Sequence, residues 1–113
     1  LTGSDMARWL GLSKSDKRKE LTSKPLPEIN VTQEMRQTAF DNWETTDDHG
    51  MLIYGIAKDQ NGKEYYMVKN SWGLSGKYKG IWYASKAFVK YKTMNILVHK
   101  KTIPADIAKK LGL

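Results

Sequence analysis

His49 and Asn70 are the residue types in this sequence best suited to do chemistry together. An imidazole carries protons near neutral pH, but it serves as a directed base only when held in one tautomer and one orientation. An amide oxygen that accepts a hydrogen bond from one ring nitrogen does this, and it leaves the other nitrogen free to serve a thiol. The histidine lies in Asp48-His49-Gly50 and the asparagine in Val68-Lys69-Asn70-Ser71-Trp72-Gly73, where Trp72 is placed to cover the contact and exclude water. The 113 residues contain no cysteine, so a thiol nucleophile would have to come from outside this chain. On spacing alone the plainer alternative stands beside this one: a structural histidine before a strand and an asparagine that forms a turn.

The elements between the two residues decide whether they meet. Residues 51–57 form a nearly unbroken apolar run and residues 64–69 a second run rich in β-forming side chains. Between them Asp59-Gln60-Asn61-Gly62 is a strong hairpin signal, because Asn-Gly tolerates the positive φ of tight turns. A four-residue loop sets Lys58 opposite Lys63, which continues to Met51 opposite Asn70 and puts His49 one alternation further on the same face. The two polar groups are then diagonal neighbours at one end of the hairpin, with Cα atoms roughly 7–8 Å apart. A two-residue loop keeps the shared face with a larger offset. An odd-numbered loop sends the two side chains to opposite faces.

Around this hairpin the pattern predicts an α+β or mainly β arrangement in which a strongly bent antiparallel sheet closes on itself. Residues 1–30 read as a loosely organised approach segment, with a short helix over 5–10, a charged stretch over 14–20, and then Pro25 and Pro27 favouring extended chain. Residues 31–113 form the β-rich domain that carries His49 and Asn70. Thr32 opens a helix whose Met35, Ala39 and Phe40 make an apolar stripe expected to pack on the sheet. Strands are expected over 80–85 and 94–99, a helical turn over 86–91, and a last helix over 105–111 introduced by Pro104 and terminated by Gly112.

Composition narrows the function classes and leaves a basic polyanion-binding domain as the weakest reading. The 40% hydrophobic and 11% aromatic content is that of a globular chain, though one this short buries a modest core and can leave apolar faces for another chain to cover. A net charge of +7 suits a polyanion only if gathered on one face. The densest basic cluster, Lys14, Lys17, Arg18 and Lys19, is interrupted by Asp16 and Glu20, and no nucleic-acid motif frames the aromatic residues. No stretch approaches the roughly 20 apolar residues of a membrane span. Two histidines far apart and no cysteine argue against a metal site, and no cofactor is expected. A first residue of leucine suggests a chain cut from a longer protein.

Asp48-His49-Gly50-Met51, then Lys69-Asn70-Ser71-Trp72-Gly73, then Gly80-Ile81-Trp82-Tyr83 resembles the C-terminal half of a papain-like cysteine peptidase. Within that superfamily the sequence looks most like the bleomycin hydrolase and bacterial aminopeptidase C branch. The residues leading to the histidine over 36–42, Phe88-Val89-Lys90-Tyr91, and Val98-His99-Lys100-Lys101 before Ile103-Pro104 carry that likeness. It covers about residues 32–111.

The resemblance implies the C-terminal, antiparallel β-barrel-like domain of the papain fold. It implies that His49 is the histidine of a catalytic Cys/His pair, Asn70 its orienting partner and Trp72 the shield. The family's cysteine and oxyanion-hole glutamine lie on an N-terminal helical domain, so neither is assigned to a residue here. The implied partners are a peptide substrate, that Cys-bearing part, and further copies in a hexameric cage. A cytoplasmic location is implied by the branch, while export stays open because the parent's N-terminus is not seen. In the same branch the chain's own C-terminus anchors the substrate's free amine, which implies that role for Leu113; the plainer reading of this tail is a frayed end. The expected function is therefore the C-terminal part of a cysteine-type aminopeptidase, inactive by itself. The alternative from another class is a peptidase-like barrel retained as a binding or regulatory module.

Overall fold

The computed structural model describes residues 27–47 and 49–113. The expected helix over 5–10, the charged stretch over 14–20 and Pro25 lie outside the described residues.

Helix α1 (Gln33–Asp41) starts where its cap dictates: Thr32 is extended, and its Oγ1 accepts from the Met35 N–H at 3.2 Å. Strands β1 (Leu52–Lys58), β2 (Glu64–Lys69) and β3 (Ile81–Ser85) form one antiparallel sheet in sequential order. Ser85 ends β3 and caps α2 (Lys86–Lys92) through its Oγ, which accepts from the Phe88 N–H at 3.1 Å. A 3-10 turn (Lys100–Thr102) and helix α3 (Ala105–Leu111) complete the order. The expected strands over 51–57, 64–69 and 80–85 and the last two helical elements all form, with boundaries shifted by a residue at most.

The small core lies between α1 and α2 rather than under the sheet. Val31, Ala39 and Tyr91 are buried together, with Met35 and Ala87 packed against them. The stripe expected on α1 thus turns Ala39 and Met35 toward α2, while Phe40 stays exposed. Backbone carbonyls left over at the end of α2 explain the docking: the Arg36 guanidinium donates to Lys90 O and, at 2.9 Å, to Thr93 O. In return Lys92 Nζ donates to Glu44 O at 2.7 Å and Thr45 Oγ1 at 3.1 Å. Burial, with Glu44 nearby, pushes the Tyr91 hydroxyl above its ordinary pKa. At the sheet's other end the Lys86 ammonium hydrogen-bonds Glu64, holding that carboxyl below its ordinary value, and Lys58 adds an ion pair at 3.8 Å.

Two expectations are corrected. Among the described residues the sheet is open, not barrel-like, with β1 and β3 as its edges. The fourth strand over 94–99 is absent: these residues precede the 3-10 turn without strand pairing, Leu97 is fully exposed, and Ile96 and Val98 are largely so. Closing a sheet requires a strand that bonds to both edges with matched stagger. A β-forming composition in residues 94–99 supplies the side chains for a strand but no partner ladder. Leu52, Ile53, Tyr54 and Ile56 of β1 are likewise exposed, so the apolar run that made this strand legible is not covered within the described residues. No helix among the described residues is long and apolar enough to cross a membrane.

Candidate active site

The hairpin between β1 and β2 brings His49 to Asn70, though by a route different from the one its sequence suggests. Its turn is odd-numbered. Lys58 pairs with Glu64, not Lys63, because Gly62 takes φ 79 and the Asp59 N–H donates to Lys63 O at 3.0 Å. Asp59 Oδ1 locks this loop by accepting from the N–H groups of Asn61 at 2.8 Å and Lys63 at 3.0 Å. Continued unbroken, that register would send His49 and Asn70 to opposite faces.

A β-bulge restores them to one face. Gly55 pairs with Met67 and Ile53 with Val68, so Tyr54 is an extra residue in β1 and the pairing slips by one. Beyond the bulge Leu52 pairs with Lys69, which continues to Met51 opposite Asn70. This is the end register expected from a four-residue loop. Next to the bulge Gly55 packs closely on the partner strand, where a Cβ would meet Met67 Sδ at 3.3 Å.

The resulting contact is short. His49 Nε2 lies 2.8 Å from Asn70 Oδ1. The Ser71 N–H donates to the same oxygen at 2.8 Å, which fixes the amide's orientation, because only the oxygen can accept both bonds. Nε2 must therefore carry the proton, and Nδ1 is left for another partner. Asn70 is 3% exposed, and its backbone N–H donates to Gly80 O at 3.0 Å, so both its side chain and its main chain are held.

Trp72 stacks on the imidazole, with centroids 5.3 Å apart and planes 29° from parallel. The loop that carries it, between β2 and β3, is shaped by Gly73, Gly76 and Gly80 at positive φ and closed by the Gly80 N–H donating to Ser75 O at 2.7 Å. Lys69 Nζ reaches forward to Gly73 O at 3.3 Å from the opposite side of β2. Asn70 is buried while His49 and Trp72 are exposed, so the pair opens to solvent on the imidazole side.

Trp82 was not singled out as a site residue by the sequence. It pairs with Val68 across β2 and β3, which places it on the Asn70 face, and its ring meets Trp72 edge-on at 6.1 Å and 82°. The signal was present as strand alternation, since residues opposite Val68 share the face of Asn70, but the β2–β3 register was needed to use it. His99 is engaged elsewhere: its Nδ1 accepts from the Lys101 N–H at 3.2 Å as the cap of the 3-10 turn.

Leu113 is not brought to His49 by any hydrogen bond among the described residues. Gly112 at φ 70 closes α3, with its N–H on Lys109 O at 3.3 Å and the Leu113 N–H on Ala108 O at 3.0 Å. That pair of bonds is a Schellman cap, which ties the chain end back onto the last turn of the helix. The described residues contain no cluster of three or more His, Cys, Asp or Glu able to hold a metal ion.

A proton-bearing Nε2 fixed by a buried amide, a free Nδ1 and a covering indole are the parts that prepare an imidazole to serve a nucleophile. Residues 12–112 match the Peptidase C1-like family, and the chain belongs to that family. Shorter stretches are similar to cathepsins: 33 residues are 48% identical to cathepsin L1 of Drosophila melanogaster, covering 29% of this chain and 9% of the relative. A stretch of 28 residues is 50% identical to cathepsin L of Sarcophaga peregrina, covering 25% of this chain and 8% of the relative. Another of 28 is 61% identical to cysteine proteinase 3 of Dictyostelium discoideum, with 25% and 8% covered. The matched stretches thus span less than a tenth of these relatives' length.

Proposed function

We propose that this chain carries the histidine and orienting asparagine of a papain-like cysteine peptidase, His49 and Asn70, with Trp72 as their shield. The observation that carries the reading is the 2.8 Å bond from His49 Nε2 to Asn70 Oδ1 beneath the Trp72 ring. The nucleophilic cysteine belongs to a further part of the same enzyme. The exposed apolar side chains of β1 and of residues 96–98 support such a completing segment.

In the resting site Nδ1 faces the cysteine and takes its proton, giving a thiolate and an imidazolium. The thiolate sulfur attacks the peptide carbonyl carbon, and the imidazolium returns its proton to the departing amine. Water then adds to the thioester with Nδ1 as base, releasing the acid and restoring the thiol. Throughout, Asn70 Oδ1 holds the ring by Nε2, so it stabilises the charged form without exchanging a proton.

Replacing Asn70 by alanine removes one hydrogen bond to a ring that is charged during turnover. Such bonds contribute about 1.5–3 kcal/mol, so kcat/KM in the complete enzyme is expected to fall roughly ten- to a hundred-fold. A change under two-fold in steady-state assays would detach Asn70 from the mechanism.

The finer reading places the chain in the bleomycin hydrolase and aminopeptidase C branch, as a cysteine-type aminopeptidase with Leu113 near the substrate amine and a hexameric assembly. It is supported by the segment Val98-His99-Lys100-Lys101 before Ile103-Pro104. Comparing peptides with free and acetylated amino termini tests it: an aminopeptidase loses activity on the acetylated series, and equal rates on both would leave an endopeptidase of cathepsin type.

A further inference from the structure

The indole that covers His49 is itself braced. Trp72 is 62% exposed and sits on a loop, so stacking on one imidazole is a weak restraint on a large side chain. Its second contact is Trp82, which meets it edge-on at 6.1 Å and 82°. This is the T-shaped arrangement in which the positive edge of one ring meets the negative face of another.

The two residues differ in how they are held. Trp82 lies on β3, where its backbone is locked to β2 opposite Val68, two residues before Asn70, which directly follows that strand. Trp72 follows Asn70 by two residues in a loop with three positive-φ glycines. A ring on a paired strand thus steadies a ring on a loop, and that ring in turn lies over the His49–Asn70 bond. Trp82 is also 44% exposed, more than a core side chain needs.

We propose that Trp82 is a positioning residue for the His49–Asn70 pair, acting through Trp72: the edge-to-face contact between the two rings holds the Trp72 indole in the stacked rotamer that keeps water from the bond. This rests on the peptidase reading above. Among the described residues Trp82 makes no ring contact or hydrogen bond with either member of the pair, so its effect has to pass through Trp72. The geometry makes three demands. Loss of Trp82 should slow the chemical step more than it weakens substrate binding. Loss of Trp82 should matter only while Trp72 is present. A smaller aromatic ring at position 82 should restore most of the contact.

The experiment is a double-mutant cycle in the complete enzyme, with Trp72→Ala, Trp82→Ala, the double variant and Trp82→Phe assayed on one peptide substrate, alongside His49→Ala. Trp82→Ala is expected to lower kcat roughly two- to ten-fold with KM nearly unchanged, the range an aromatic edge contact supports. In the double variant kcat should match that of Trp72→Ala alone, and Trp82→Phe should recover most of the loss. Multiplicative losses in the double variant, or a Trp82→Ala change confined to KM, would overturn the proposal. If Trp82→Ala fails to fold, Trp82→Phe and Trp82→Leu are compared: Leu matching Phe in kcat counts against an edge contact. Substantial activity in His49→Ala would instead sink the peptidase reading itself, so the two failures are distinguishable.

Discussion

Replacing His49 by alanine in the complete peptidase is expected to lower kcat/KM by at least about a thousand-fold. The size follows from what the ring does. It takes the thiol proton, holds the positive charge that stabilises the thiolate, and returns the proton to the leaving amine, so removing it disables activation and departure together. The fold should hardly respond, since His49 is exposed and, among the described residues, its side chain hydrogen-bonds Asn70 alone. Losing the imidazole leaves Asn70 Oδ1 with the Ser71 N–H as a donor, so no buried acceptor is stranded. Unfolding midpoints within a degree or two of the parent, with turnover near background, is the expected combination. Near-normal turnover would end the assignment of His49 as the proton carrier.

The largest structural effect is expected at Gly80. Its φ is +80, a region that costs an L-residue roughly 1–2 kcal/mol. Space is the more serious matter: a Cβ there would lie 2.0 Å from Gly73 O and 2.8 Å from Lys69 Nζ. The lysine end can swing away, but the Gly73 carbonyl is main chain in the loop that carries Trp72. Gly80→Ala therefore forces that loop off β3, for a total destabilisation of about 3 kcal/mol or more. It also disturbs the Gly80 carbonyl that accepts from the Asn70 N–H, so activity should fall with stability.

Gly62→Ala is the matched control. Its φ of +79 is nearly the same, but a Cβ there meets nothing within 4 Å, so only the backbone cost of roughly 1 kcal/mol should appear. Urea unfolding of both variants measures the difference. Equal losses would mean that the close approach of Gly73 to Gly80 does not govern the loop.

The hairpin illustrates how far a local pattern reaches. Asn-Gly between two β-forming runs announced the turn, and alternation announced that His49 and Asn70 could share a face. The correct meeting came from two departures that compensate: a turn of odd length and an extra residue, Tyr54, in β1. Neither is written in local propensity, because turn length depends on the bonds Asp59 makes across the loop. A bulge depends on what Tyr54 and Gly55 meet on the partner strand.

Residues 94–99 illustrate the opposite case. Their β-forming side chains are as clear as those of β2, yet no ladder forms, because a strand exists only by virtue of a partner edge. Helix α1 began at Thr32 as its cap residue required, but which element its stripe would meet was a matter of docking, settled by Arg36 on the free carbonyls after α2.

By itself the sequence determined the residue types of the site, the absence of cysteine from these 113 residues, the existence of the hairpin and the capped ends of the helices. These depend on side-chain chemistry and on interactions within a few residues. Tertiary structure alone decided that His49 Nε2 reaches Asn70 Oδ1, that the sheet of the described residues stays open, and that Trp82 stands behind Trp72. Each of those depends on the register between strands, and register is set by bonds between segments that no local window contains.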